Sequence, residues 1–375
     1  MSEFDGILTL NDLPEKEIFV ELEEHDKLKI KKKIRKRKDF YRFLLKLKLR
    51  DWFYGNTEKL RLDKFHKILK LFNIHDIEIK EILGKQGVPI KYPKFPFDFT
   101  TKDGVRFISC LLGDGCIHNK GIRYYNKDEN LINGFLNCSK NIFGYLPFKR
   151  YEYQNVTTIS LPKIFKYIME SIGFKSGSKT STNPRIPKFI FDLPNDKKIQ
   201  FISQFIDDDG YISGGKIGID LSFDDGIPPF LLYDIGGLLR SFNIKCSIFP
   251  ASEYYSLNDE KRIMWRLLIS LYKDTKKLSE NLILNSLSKR KSCEELIKLN
   301  KKEFHKGFGF YLEKLIELHK KNEFFTAIDL ANVSTRSMTH SRRIIRKLEK
   351  LSFIELVDST NSGYKRYKLC GLYGG

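Results

Sequence analysis

Apolar positions in the middle of the chain follow a helical spacing, then a spacing of two, and then the same series begins again. Residues 107–115 read FISCLLGDG and residues 201–210 read FISQFIDDDG, each an apolar helical run closed by Asp-Gly. Behind each lies a glycine-punctuated stretch of strand character, 116–126 and 211–223, followed by an amphipathic helix, 129–143 and 229–242. Further strands end in Ile159-Ser160-Leu161-Pro162-Lys163 and Ile269-Ser270-Leu271-Tyr272-Lys273. These matched Ile-Ser-Leu-x-Lys endings fix the register of a duplication independently of the Asp-Gly pairs. The stretch from Asp209 to Lys273 is longer than that from Asp114 to Lys163, which predicts an insertion around 251–262. Each copy is expected to run α-β-β-α-β-β-α, giving an α+β fold.

Strand alternation predicts antiparallel sheets with one face on a core and one face open. In 262–271, Ile263, Trp265, Leu267, Ile269 and Leu271 share a face, opposite Arg262, Met264, Arg266 and Ser270. In 216–223, Ile217, Ile219 and Leu221 alternate with Lys216, Gly218, Asp220 and Ser222. The open faces are polar and partly basic.

Both ends of the chain differ from this middle. Residues 1–98 read as a basic helical domain. Nine of the twelve residues 27–38 are Lys or Arg, and an apolar series continues through Tyr41, Leu44, Leu45 and Leu49, as in one long amphipathic helix. Lys31, Lys32, Lys33 and Arg35 are its candidate phosphate contacts, the alternative being a solvated helix face. Residues 77–83 read as one more helix, and Pro89, Pro93 and Pro96 then mark 88–99 as an extended linker. The duplicated copies occupy 99–194 and 195–300. After them, 301–375 offers helices over 310–319 and 327–332, a basic helix over 335–351 bearing Arg336, Arg342, Arg343 and Arg346, and strands over 354–358 and 364–369. That order is expected of a winged helix-turn-helix, whose basic helix would enter a DNA groove.

Charge narrows the class of partner. Sixty-seven Lys and Arg against 47 Asp and Glu leave a net +20 over 375 residues. Such an excess favours a polyanion, because each cation at a phosphate displaces a condensed counterion. Anionic membrane surfaces, ribosomes and a hot or salty habitat give the same signature. No stretch has the length and apolarity of a membrane span, nor the apolar core of a signal peptide. The six cysteines are scattered, without a CxxC pair, which argues against a zinc site or a disulfide framework and predicts a reducing, cytoplasmic setting.

Two apolar helices ending in Asp-Gly, in register, resemble the single-chain LAGLIDADG homing endonucleases over about residues 100–299. The segment from Arg185-Ile186-Pro187 to Phe201 also resembles the approach to the second motif in intein-embedded members. Protein splicing is not expected, since the sequence lacks the Cys or Ser start and the His-Asn end that it requires. The resemblance implies two pseudo-symmetric repeats with saddle-shaped sheets, in a monomer acting as a pseudo-dimer on double-stranded DNA. It implies Asp114 and Asp209 as metal ligands, with the carbonyls of Gly113 and Asp208, around Mg²⁺ (or Mn²⁺). Lys163 and Lys273 take the role of basic residues at the scissile phosphate, and Arg262, Arg266 and Lys216 that of DNA contacts on the open sheet. Ser109 suits the close-packing position five residues before its aspartate. Gln204, however, stands where the family has Gly or Ala, Asp208 replaces a small residue, and Leu112 stands where an acid is common. A site-specific DNA endonuclease is the function implied. A non-cleaving DNA-binding regulator on the same fold and an intron RNA maturase, binding structured RNA, are the alternatives.

Overall fold

The computed structural model describes residues 4–85, 87–224, 228–255, 261–298, 308–334, 337–359 and 364–370. The chain forms two compact units, Met1–Lys298 and Leu299–Gly375.

The first unit opens with β1 (Ile7–Leu8), β2 (Ile18–Leu22), α1 (Glu24–Arg35), α2 (Phe40–Lys46), α3 (Arg50–Tyr54), β3 (Leu60–Arg61), α4 (Leu62–Phe72), β4 (Ile79–Gly84), β5 (Ile90–Lys91) and β6 (Phe97–Asp98). Its sheet, ordered β3-β2-β4-β5, corrects the all-helical expectation. The helix expected at 77–83 is strand β4, because β2 pairs with it from Ile18 opposite Gly84 to Leu22 opposite Ile79. A partner sixty residues away decides the matter, which local periodicity does not register. The long basic helix is also divided. Arg37 grips Asp39 through Nε and Nη2 (2.7 and 2.9 Å) in the turn between α1 and α2, and α3 stops at Gly55, whose φ of 89° suits glycine.

The proline-rich stretch read as a linker is built into the core. Ile90 pairs with Ile82 of β4, and β6 pairs with β1. Phe97 and Phe99 are fully buried, and both pack on Phe143, with ring centroids 4.9 and 5.9 Å away. Phe143 also meets Phe107 and Phe165 at 5.1 and 4.9 Å. One apolar core therefore runs from Leu8 to Leu296, across the boundary expected near residue 98.

The duplicated part follows the expected order. The first copy is α5 (Lys102–Leu112), β7 (Gly115–His118), β8 (Gly121–Asn126), α6 (Glu129–Phe143), β9 (Lys149–Tyr153), β10 (Val156–Leu161) and α7 (Ile164–Ser171), followed by short helices α8 (Lys179–Thr182) and α9 (Phe189–Asp192). The second is α10 (Asn195–Asp209), β11 (Gly210–Ser213), β12 (Lys216–Asp224), α11 (Phe230–Ser241), β13 (Ser247–Tyr255), β14 (Lys261–Ile269), α12 (Tyr272–Ser279) and α13 (Leu287–Lys298). The antiparallel sheets share one strand order, β7-β8-β10-β9 and β11-β12-β14-β13. Their first hairpins are in identical register, Gly115 opposite Tyr124 and Gly210 opposite Ile219. Strands β13 and β14 have nine residues each against five and six in β9 and β10. The insertion expected around 251–262 thus falls in this longer hairpin, and its residues 256–260 lie outside the described ones.

The second unit contains α14 (Phe308–Lys321), α15 (Ala327–Ser334), α16 (Met338–Lys350) and the hairpin β15 (Ile354–Ser359) with β16 (Lys365–Leu369). Tyr311, Leu315, Phe325, Ile345, Leu348 and Tyr367 form its own core. On α16, Ser341, Ile345 and Leu348 face inward and Arg342, Arg343 and Arg346 are exposed. Arg336 lies outside the described residues. Among the described residues no helix is long and apolar enough to cross a membrane, and all six cysteines are free.

Since Phe143 joins the N-terminal segment to both α5 and α7, Phe143→Ala should lower the unfolding free energy by about 3–5 kcal/mol in a urea titration. A fragment 1–298 should melt cooperatively, whereas one beginning at Lys91 should not. Cooperative unfolding of the shorter fragment would show that residues 4–90 are dispensable to the core.

Candidate active site

Helices α5 and α10 pack against each other; Asp209 is the last residue of α10, and Asp114 follows the end of α5 by two residues. Thr101 caps α5 by accepting from the Gly104 amide at 3.0 Å. The buried Ser109 hydroxyl donates to the Phe201 carbonyl across the helix pair at 2.8 Å, a contact that only close backbones allow. At the far end, a side chain on Gly113 would come within 2.7 Å of the Asp208 Cβ. Gly115 and Gly210 turn each helix directly into a strand, where a Cβ would lie 2.5 Å from the Leu111 Cα and 2.7 Å from the Ile206 Cα. The carboxylates of both copies are thereby delivered to one buried place.

The unusual Gln204 and Asp208 bridge this crossing instead of wedging it open. Gln204 accepts from Arg106 Nη2 (3.1 Å) and donates to Asp208 Oδ1 (3.1 Å). The Tyr124 hydroxyl donates to the same oxygen at 2.7 Å. Asn126 Nδ2 donates to Asp114 Oδ2 at 2.7 Å. By hairpin register the second copy has Ile219 and Leu221 where the first has Tyr124 and Asn126. The polar support is therefore one-sided.

Asp207 serves a different end. It accepts from the amides of Asn285 (2.7 Å) and Ser286 (3.2 Å), just before α13. From α13, Lys289 donates back to the carbonyls of Ile206 (2.8 Å) and Asp207 (2.6 Å). This reciprocal lock satisfies carbonyls at the end of α10 and places a cation there.

Burial dominates the electrostatics. It raises the Asp114 carboxyl to about 6, with the charge of Asp209 adding to the rise and Lys179, Lys289 and Asn126 opposing it. Asp209 is raised by burial and pulled back by the same two lysines. Asp208 is raised well above the carboxylate range by burial, then by Asp114, against its bonds from Tyr124 and Gln204. Burial lowers Lys289, and the surrounding aspartates oppose that.

The cations that act on the aspartates are Lys179 and Lys289, which the motif reading did not single out. Lys163 and Lys273 lie elsewhere: Lys163 precedes α7 with its ammonium 5.7 Å from the Tyr167 ring, and Lys273 is exposed in the first turn of α12. The signal was available, because 163 to 179 and 273 to 289 are the same sixteen-residue step and each later lysine follows a serine, Ser178 and Ser288. The hydrogen bond from Gly177 to the Ile117 carbonyl (2.9 Å) ties the Lys179 segment to β7.

Other candidates are spread over the surface. Arg266 is fixed by Asp220 on the open sheet face, Arg262 lies 3.9 Å from Asp224, and Lys216 is exposed at the start of β12. Of the N-terminal cations, Lys31 approaches Trp52 (5.5 Å), Arg35 approaches Phe53 (5.5 Å), Lys33 donates to the Phe72 carbonyl (3.1 Å), and Lys32 is exposed. The first sheet supplies an unanticipated concavity of about 680 Å³, where Lys163 meets His118, Arg123, Lys149 and Tyr151.

A hard divalent cation fits the buried cluster. Oδ2 of Asp208 and of Asp209 are buried without a hydrogen-bond partner. Among the described residues no group of three or more His, Cys, Asp or Glu converges on one point, so an ion held there would take the rest of its ligands from backbone carbonyls and water. That division suits Mg²⁺, which retains several waters beside one or two carboxylates.

The chain is 25% identical over 281 residues to the tRNA-splicing ligase RtcB of Pyrococcus furiosus, covering 65% of this chain and 27% of that protein. It is 24% identical over 291 residues to the glutamine–fructose-6-phosphate aminotransferase of Methanocaldococcus jannaschii, covering 74% of this chain and 24% of that protein. It thus spans about a quarter of the length of the curated relatives it matches. Two solved structures of I-DmoI show a distant likeness. A variant with its target DNA and magnesium gives a TM-score of 0.35 at 12% identity, over 49% of this chain and 97% of that one. A complex with DNA and manganese gives 0.33 at 13%, over 48% and 94%. No family model matches the chain.

Without metal, the buried carboxylates should make stability fall with pH. Asp114 holds its proton more tightly folded than unfolded, so its contribution is most favourable below about pH 4 and is lost as pH rises through about 6, by roughly 3 kcal/mol. In EDTA, Asp114→Asn should melt above the wild type at pH 7.5 and alongside it near pH 4. A variant no more stable at pH 7.5 would show that Asp114 is not held in an unfavourable place.

Proposed function

We propose that the chain is a site-specific double-stranded DNA endonuclease of the LAGLIDADG homing type, acting with a divalent metal. The observation that carries this reading is the paired delivery of Asp114 and Asp209 to one buried crossing, with the matched lysines Lys179 and Lys289 acting on both. Two copies in one chain form a pseudo-dimer, and two sheets with open polar faces suit a duplex lying along them. The two curated relatives bear names of unlike chemistry. A shared segment spanning a quarter of each supports a function separate from either name.

Asp114 and Asp209, with the carbonyls of Gly113 and Asp208, would hold Mg²⁺ or Mn²⁺, which supplies charge stabilisation at a phosphodiester and an activated water. The chain's own residues do the rest. Asn126 orients Asp114, while Tyr124 and Gln204 fix the Asp208 carboxylate at the helix crossing. Lys179 and Lys289 offset negative charge that builds up on the phosphate. Lys163, Arg123 and Lys149 bind backbone phosphate on the first sheet, and in the second unit Arg342, Arg343 and Arg346 do so from a winged-helix module.

Duplexes selected by the chain from a random library, then cloned into a plasmid, test this directly. Linear product is expected with Mg²⁺ and none with EDTA. Asp114→Asn and Asp209→Asn should each abolish cleavage and keep affinity within about tenfold. Specific binding without cleavage in either metal would establish the regulator instead, and selection of structured RNA over duplex the maturase.

The two kinds of lysine should also separate. Lys179→Met and Lys289→Met should each slow single-turnover cleavage by roughly a hundredfold at unchanged affinity. Lys163→Met should weaken binding and leave the rate alone. A rate loss confined to Lys163→Met would return the catalytic role to that position.

A further inference from the structure

Beside Tyr211, which lies two residues beyond Asp209 at the start of β11, the open face of the second sheet carries an arginine held in one orientation from two sides. Arg266 donates through Nε to Asp220 Oδ1 at 2.7 Å and through Nη2 to Asp220 Oδ2 at 2.6 Å, a two-point pair between directly opposed residues of β14 and β12. Its guanidinium carbon lies 5.5 Å from the centre of the Tyr211 ring. Tyr211 is in turn laid across Gly218, where a Cβ would fall 2.3 Å from the ring. Glycine at 218 is what makes room for the tyrosine, and the tyrosine forms the floor beneath the arginine.

The donor geometry is selective. A guanidinium has five N–H groups, and Asp220 takes the Nε–H and one Nη2–H. The edge formed by Nη1 and Nη2 keeps two parallel donors, the pattern that matches O6 and N7 of guanine in a major groove. Asp220 also cancels most of the side chain's net charge, which makes it a poor anchor for a phosphate while leaving its fork intact.

We infer that Arg266 reads a guanine close to the cleaved phosphodiester, with Asp220 and Tyr211 as its positioning residues. The inference rests on the endonuclease reading above, since it takes the open sheet face beside Asp209 to meet duplex DNA. It adds what that reading lacks, a base and the residue that recognises it.

The test compares sequences selected from a random duplex library by the full-length wild type, Arg266→Ala, Arg266→Lys and Asp220→Asn. The wild type should enrich a guanine at one position. Arg266→Ala should lose roughly tenfold of preference there and keep the remaining positions. Lysine retains charge but not the fork, so Arg266→Lys should not restore the preference, and Asp220→Asn should weaken it at the same position alone. Equal weakening on every sequence, rescued by lysine and accompanied by a shallower salt dependence, would make Arg266 a phosphate anchor and overturn the inference. A specific site with no guanine lost in Arg266→Ala overturns it as well and leaves the endonuclease reading standing. Enrichment of no sequence by the wild type would overturn both.

Discussion

Two helices whose backbones touch at their C-terminal ends must bring whatever those ends carry into one buried place. In this chain the approach is set by Ser109 on the Phe201 carbonyl and by Gly113 against Asp208. What it gathers is Asp114, Asp208 and Asp209, three carboxyl groups in a region poor in water. Burial raises all three above their ordinary range, and neighbouring carboxylates add to the rise at Asp114 and Asp208. A protein optimised for stability alone would place apolar side chains at such a crossing. That the crossing carries carboxylates is the feature from which the functional reading grows.

The surrounding elements are arranged to contain this cost. Asp208 is tied to Tyr124 and Gln204, and Asp207 faces away to hold the start of α13. Helix α13 returns Lys289 to the end of α10, and the Gly177 contact with β7 holds the Lys179 segment beside the first sheet. The two copies share a frame but not its details. From the first copy Asn126 donates to Asp114 and Tyr124 reaches across to Asp208, whereas Ile219 and Leu221 occupy the matching places in the second copy. The open faces differ likewise, with Arg123 and Lys149 around a concavity on the first sheet and the Asp220–Arg266 pair on the second.

Much of the central architecture was legible because it is written twice. The Asp-Gly pairs and the Ile-Ser-Leu-x-Lys endings gave the order of helices and strands that the structure shows, although the motif helices begin five or six residues earlier and Lys273 lies in a helix, and they located the insertion in the β13–β14 hairpin. The N-terminal region was not legible in the same way. Strand β4 depends on a distant partner, β2, and the prolines of 88–99 suggested a linker where Phe97 and Phe99 are in fact core residues. At the site, the aspartates were visible from the motif, but the lysines beside them were not. Residues 177–179 and 285–289 follow the sheets and return to the crossing only in three dimensions. Their shared spacing was the one trace left in the sequence. The support from Tyr124, Asn126 and Gln204 was invisible, since it depends on which side chains meet across the crossing.

The claim that the helix crossing is a metal site can be examined without reference to cleavage. Crystals of the full chain with a selected duplex, grown with Mn²⁺, would show the ion in an anomalous difference map. The peak should fall between the Asp114 and Asp209 carboxylates, next to the carbonyls of Gly113 and Asp208, with a phosphate of the duplex beside it. A map with the duplex bound and no peak at the crossing, or with Mn²⁺ held only by other carboxylates, would contradict it.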